Sequence, residues 1–183
     1  MTELALNILD IVQNSIRAKA SKIEVMIDEN IENDHFEITI KDNGEGMDND
    51  QLSGVTDPFF TTRTTRKVGL GISLLKQSAE QTGGHLELTS QKNIGTILKA
   101  VFSHKNVDRP ILGDIAGTMT LLIGANPQIR FIYTHQTPLS LFEFDTKEVL
   151  EELDDVPIND RDILKALKEL INENLNMIEA TLS

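Results

Sequence analysis

The sequence predicts an α/β two-layer sandwich: a mixed, mainly antiparallel sheet with helices on one face, continued at its C-terminal end by a small α+β extension. Three observations predict it. An apolar stripe at helical spacing opens the chain, two pairs of alternating segments follow, and a second helical stripe separates the pairs.

The first stripe is Ala5, Ile8, Leu9, Val12 and Ile16, which share one face at about 100° per residue. After Ser21 the period changes to two, in Ile23, Val25 and Ile27 and again in Phe36, Ile38 and Ile40, with turn-forming residues between. These read as two paired strands. From Lys41 to Lys67 periodicity disappears and Gly, Asp, Asn and Thr dominate, the mark of a long functional loop. Leu70, Leu74, Leu75 and Ala79 then predict a helix that stops at Gly83 and Gly84. Strands follow at residues 85–90 and 95–102.

Pro110 and Gly113 punctuate a boundary, so residues 1–104 are expected as one domain and 105–183 as an extension of unknown role, a separate layer in the simplest reading. Within the extension, strands are expected at Thr118 to Ile123, Ile129 to His135 and Leu141 to Phe144. Two helices close the chain. One starts at an Asp145-x-x-Glu148 capping box, and the other carries Ile163, Leu164, Leu167, Leu170, Ile171 and Leu175 as its stripe.

Composition narrows the function. The 183 residues carry 17 Lys+Arg against 29 Asp+Glu and no cysteine, which removes disulfides, thiol nucleophiles and thiolate zinc sites. A net charge of −12 argues against nucleic acid or an anionic membrane as partner. No apolar run approaches the roughly 20 residues needed to span a bilayer, and the N-terminus lacks a basic leader, so the expected location is cytoplasmic.

Three constellations carry the chemistry. Asp10, Asn14 and Arg17 lie at i, i+4 and i+7 on the face of the first helix opposite its stripe. A carboxylate, an amide oxygen and a guanidinium in a row suit a hard cation and a phosphate, while a plain solvated face accounts for them equally well. Asp42-Asn43-Gly44-Glu45-Gly46-Met47 follows a strand directly; its glycines allow a sharp turn and close approach to a ligand, and its acid can accept from an exocyclic amine. Gly69-Leu70-Gly71 opens the second helix after a stretch holding Arg63, Arg66 and Lys67, an arrangement that suits a polyphosphate or makes a mobile polar loop.

In their order and setting these segments, LDIVQNSIRAKAS, DNGEGM, DPFFTT, GLGISLLKQSAEQTGG and the Gly95-Thr96 pair, resemble the GHKL ATPases, the superfamily of gyrase, Hsp90, MutL and histidine kinases with the Bergerat fold. The resemblance covers residues 4 to about 103 and is strongest to the ATP-binding catalytic domain of sensor histidine kinases and anti-sigma-factor kinases. It implies ATP and Mg²⁺ as cofactors, with Asn14 as the metal ligand and Arg17 on phosphate. It implies that Asp42 reads the adenine amine, that Gly44 and Gly46 pass close to the base with Met47 beside it, and that Thr96 stands near the adenine end. Gly69, Leu70 and Gly71 would approach phosphate. Phe59 and Phe60 would position a lid running from about Gly54 to Lys67, with Arg63, Arg66 and Lys67 as its candidate phosphate contacts.

Two departures accompany the match. Asp10 stands where much of the family has Glu as general base, one methylene longer. None of His35, His85, His104 and His135 stands on a helix upstream of the domain as a phosphoacceptor would. The expected function is phosphoryl transfer from Mg-ATP to a separate protein, the alternatives being an ATP-driven conformational switch or a slow ATPase. The implied partners are ATP and a protein phosphoacceptor, with a homodimer left open and neither nucleic acid nor membrane expected.

Overall fold

A computed structural model describes residues 3–55 and 70–183. The elements follow as α1 (Leu4–Arg17), β1 (Lys22–Asn30), β2 (His35–Asp42), α2 (Asn49–Val55), α3 (Leu70–Gln81), β3 (His85–Gln91), β4 (Gly95–Ser103), α4 (Ile115–Ala125), β5 (Arg130–Gln136), β6 (Leu141–Asp145), α5 (Thr146–Glu152) and α6 (Arg161–Met177). One six-stranded sheet in the order β3-β4-β2-β1-β5-β6 holds the strands of the described residues. Every pairing is antiparallel except β1 with β5.

Alternation decides which face is covered. Ile23, Val25 and Ile27 of β1, Phe36, Ile38 and Ile40 of β2, Leu98, Ala100 and Phe102 of β4, and Phe131 and Tyr133 of β5 are all buried on one side. On the other side charged residues pair, Lys41 with Glu24 and Lys99 with Glu37 across strands and Lys22 with Glu24 along β1. The helices lie in the sequence α3, α1, α4, α6, each touching the next, with α3 on β3 and β4, α1 on β2 and α6 on β6. That is the expected two-layer sandwich.

Three expectations need correction. The segment from Thr118 to Ile123 is not a strand but the middle of α4, wedged between α1 and α6. Its residues are buried nearly all round, and an apolar run without a polar face carries no period by which to tell helix from strand. The loop expected from Lys41 to Lys67 contains a short helix, α2, whose only buried residue is Gly54, so no apolar stripe announces it. The C-terminal part is not a separate layer: β5 pairs with β1, Lys22 opposite Arg130 through Asp28 opposite Gln136, so residues after 105 widen the same sheet. They also complete α1. The amides of Leu4 and Ala5, which have no partner within the helix, donate to the carbonyls of Ile111 and Leu112 at 2.9 Å each.

Candidate functional site

At one end of the sheet the inward-facing alternation stops being apolar. After Ile40 comes Asp42; Thr96 precedes Leu98; Ser90 follows Leu88. Register places the three side by side, Asp42 opposite Thr96 and Thr96 opposite Ser90. A row of one carboxylate and two hydroxyls therefore forms on the helix-covered face.

Asp42 is held from two directions. Ser15 Oγ, on the buried side of α1, donates to Asp42 Oδ2 at 2.6 Å, and the Gly44 amide donates to Oδ1 at 2.8 Å. Both oxygens are thereby oriented, and each keeps capacity for a further donor. The turn after Asp42 is pinned on each side. Asn43 Oδ1 accepts from the amides of Ser21 and Lys22 at 2.9 Å. The Glu45 amide donates to Ala18 O at 2.8 Å, at the C-terminal end of α1. Gly44 lies against Ala18, where a Cβ would fall 2.7 Å from the carbonyl oxygen, and Gly46, at φ +61°, runs against the carbonyl of Gln91. These two glycines are close approaches of backbone to backbone, which only the absence of a side chain permits. The Met47 amide donates to Ser90 Oγ at 2.8 Å, tying the turn to β3.

Along α1, Asp10 is exposed, Asn14 half-buried and Arg17 exposed, while Leu4, Ala5, Ile8, Ile11 and Val12 are buried beneath. Arg17 Nη1 donates to Asn14 Oδ1 at 3.0 Å. Gly71, in the first turn of α3, faces Asp10: a Cβ there would stand 3.2 Å from Asp10 Cβ and 3.7 Å from Oδ2. So Asp10, Asn14 and Gly71 border one region between α1 and the start of α3, and Asp42 meets α1 near its other end through Ser15. Leu70 contributes backbone to the first turn of α3. Arg63, Arg66, Lys67 and Gly69, like Phe59 and Phe60, lie outside the described residues.

Sequence reading missed Ser15 and Ser90. Both carried a signal: Ser15 stands at i+3 from Val12 and i+7 from Ile8, and Ser90 continues Leu86 and Leu88 at period two. A hydroxyl at an inward-facing position must find a partner, and each does.

A second polar cluster terminates the alternation at the opposite end of the sheet. Glu29 follows Ile27, His104 follows Phe102 and His135 follows Tyr133, all buried. Glu29 Oε1 accepts from His135 Nε2 at 2.8 Å and from the Thr181 amide at 2.8 Å, and Oε2 accepts from His104 Nε2 at 3.0 Å. Burial by itself would raise the carboxyl, but these hydrogen bonds outweigh it and hold Glu29 down at about 2. Tyr133, fully buried with its hydroxyl 2.7 Å from His135 Nδ1, is pushed well above its ordinary range, chiefly by desolvation. Among the described residues no group of three or more His, Asp or Glu is arranged to hold a metal ion.

The family described as histidine kinase-, DNA gyrase B-, and HSP90-like ATPase matches residues 2–106. A sensor protein of Shewanella frigidimarina is 32% identical over 98 residues, covering 52% of this chain and 15% of its own length. A sensor histidine kinase of Bacillus subtilis is 27% identical over 88 residues, again 15% of its length. The chain thus spans a small fraction of the curated relatives it matches. The N-terminal domain of a DNA repair protein shares the fold, with a TM-score of 0.54 at 19% identity over 79% of this chain and 52% of that one. No helix among the described residues is long and apolar enough to cross a membrane.

Proposed function

Because the chain belongs to the family of histidine kinase-, DNA gyrase B- and HSP90-like ATPases, we propose that it binds Mg-ATP and passes the γ-phosphoryl group to a separate protein. The observation that carries the reading is the row of Asp42, Thr96 and Ser90 at the sheet end, abutting the helix that bears Asn14 and Asp10. Asp42, oriented by Ser15 and Gly44, accepts the amine of adenine; Gly44 and Gly46, packed against Ala18 and Gln91, hold the turn beside the base. The donor set fits a hard cation: Asn14 offers an amide oxygen, and phosphate oxygens complete such a shell. Bound Mg²⁺ supplies charge neutralisation on the phosphates. Asn14 holds it, Arg17 and the amides around Gly71 contact phosphate, and Arg63, Arg66 and Lys67 are further candidates. Asp10 takes the proton of the incoming nucleophile.

Transfer in trans is supported by the placement of the histidines. His35, His85 and His135 stand on strands and His104 in the turn after β4; His104 and His135 are buried on Glu29, so neither is presented as an acceptor. A second reading, an ATP-dependent switch or slow ATPase, is favoured by Asp10 itself, whose shorter arm lowers the efficiency of proton abstraction. Incubation with γ-labelled ATP and candidate partner proteins separates the two. Label on a partner supports the kinase, free phosphate alone supports the ATPase, and binding with neither supports the switch.

A further inference from the structure

Ser90 Oγ touches three partners at once: the Met47 amide at 2.8 Å, the Gly95 carbonyl at 3.0 Å and Thr96 Oγ1 at 2.9 Å. A hydroxyl has one hydrogen and two lone pairs. The Met47 amide can only donate and the Gly95 carbonyl can only accept, so Ser90 takes one hydrogen from Met47 and gives its own to Gly95. One lone pair then remains, and the Thr96 hydroxyl must donate to fill it. This arrangement satisfies all four groups; the reverse, with Ser90 donating to Thr96, withdraws the hydrogen from Gly95 O.

We propose that Ser90 is a positioning residue for the base: by taking the Thr96 hydroxyl hydrogen it leaves Thr96 Oγ1 as an acceptor, beside the acceptor carboxylate of Asp42. The inference rests on the nucleotide reading above and adds a selection rule to it. Two acceptors side by side call for two N–H donors, which a 6-amino purine supplies from one nitrogen. A 6-oxo purine brings an acceptor to the same place, and these half-buried acceptors are left facing a lone pair. Ser90 itself meets no part of the base. It acts through Thr96 and, by its bond to Met47, sets how far the turn of residues 43–47 stands from that row.

The test compares the affinities of ATP and inosine triphosphate, which differ at position 6 and in the hydrogen that N1 carries in inosine, for the unaltered chain and for Ser90→Ala. Ser90→Ala frees the Thr96 hydroxyl to turn and donate, so the preference for ATP should fall by about tenfold, the worth of one hydrogen bond. Affinity for inorganic tripolyphosphate, which reports the phosphate end alone, should be unchanged. Equal weakening of both nucleotides, or an unchanged ratio, overturns the role given to Ser90. Failure of the unaltered chain to bind ATP overturns the nucleotide reading itself, a separate outcome seen before any variant is made. Should Ser90→Ala not fold, hydrogen exchange at the Met47 amide of the unaltered chain decides. Slow exchange without nucleotide supports the bond to Ser90, and exchange at the rate of an open loop overturns it.

Discussion

Asp42 ties α1 to the turn that follows β2, because its two oxygens are set by groups 27 residues back in α1 and two residues ahead in its own turn. Asp42→Ala removes an acceptor that the Ser15 hydroxyl and the Gly44 amide both need, and Asn14→Ala removes the oxygen assigned to the metal. Each should weaken Mg-ATP binding at least tenfold by calorimetry, whereas Asp10→Asn should leave binding intact and lower turnover. Parent-like binding by both alanine variants would refute the site. Glu29 gives a second expectation. Its carboxyl lies near 2 in the folded protein against 4.5 when unperturbed, a depressed value, so the stability it contributes is fully present above about pH 5 and is lost as pH falls towards 2. That contribution is on the order of 3 kcal/mol. Acid unfolding of Glu29→Gln should therefore show a shallower dependence on pH between 5 and 2, and an unchanged slope would remove Glu29 from the acid response. The sequence made Asp42 legible through its glycine-flanked turn. Ser15, Ser90, Glu29, His104 and His135 instead announced themselves as polar residues at inward-facing positions, a signal that says a partner exists without naming it.

At the scale of elements, legibility followed amphipathicity. α1, α3 and α6 have one apolar face each and were expected where they occur; α4 is apolar nearly all round, and α2 lacks an apolar face altogether. Strands β1, β2 and β4 were equally plain, because one face of the sheet is covered and the other carries cross-strand ion pairs. α6 then has a specific structural duty. Leu167, Ile171 and Leu175 are its buried positions, and through α4 they brace the helix that carries the candidate site. Ile171 is fully buried. Ile171→Ala should cost about 3 kcal/mol and lower the melting temperature by several degrees, read by calorimetry. A loss well under 1 kcal/mol would mean that α6 packs loosely on its neighbours.

For the whole molecule the decisive fact is that the family match and the sheet do not end together. Residues 2–106 carry the family pattern, yet β1 is bonded on one side to β2 and on the other to β5, and α1 has its first amides satisfied by residues 111 and 112. The tail is tied in as well: Leu182 O accepts from the Gly113 amide, and Thr181 reaches Glu29. We therefore expect residues 1–104 and 105–183 to unfold together. The single tyrosine, Tyr133, stands in β5 and reports the C-terminal part alone, whereas far-ultraviolet circular dichroism reports both parts. The two signals should give coincident denaturant transitions. A separate, earlier tyrosine transition would show that the C-terminal part is an independent unit.

The parallel pairing of β1 with β5 also imposes an order on synthesis. β1 closes at Asn30 and its partner only at Gln136, so at about 5 to 20 residues per second the open edge of β1 waits on the order of 5 to 20 s for the strand that covers it. During that interval a hydrogen-bonding edge flanked by Ile23, Val25 and Ile27 is bare on the ribosome-bound chain, a template for wrong pairing. Glu24, Asp28 and Lys22, which alternate with those apolar residues, keep that waiting edge charged.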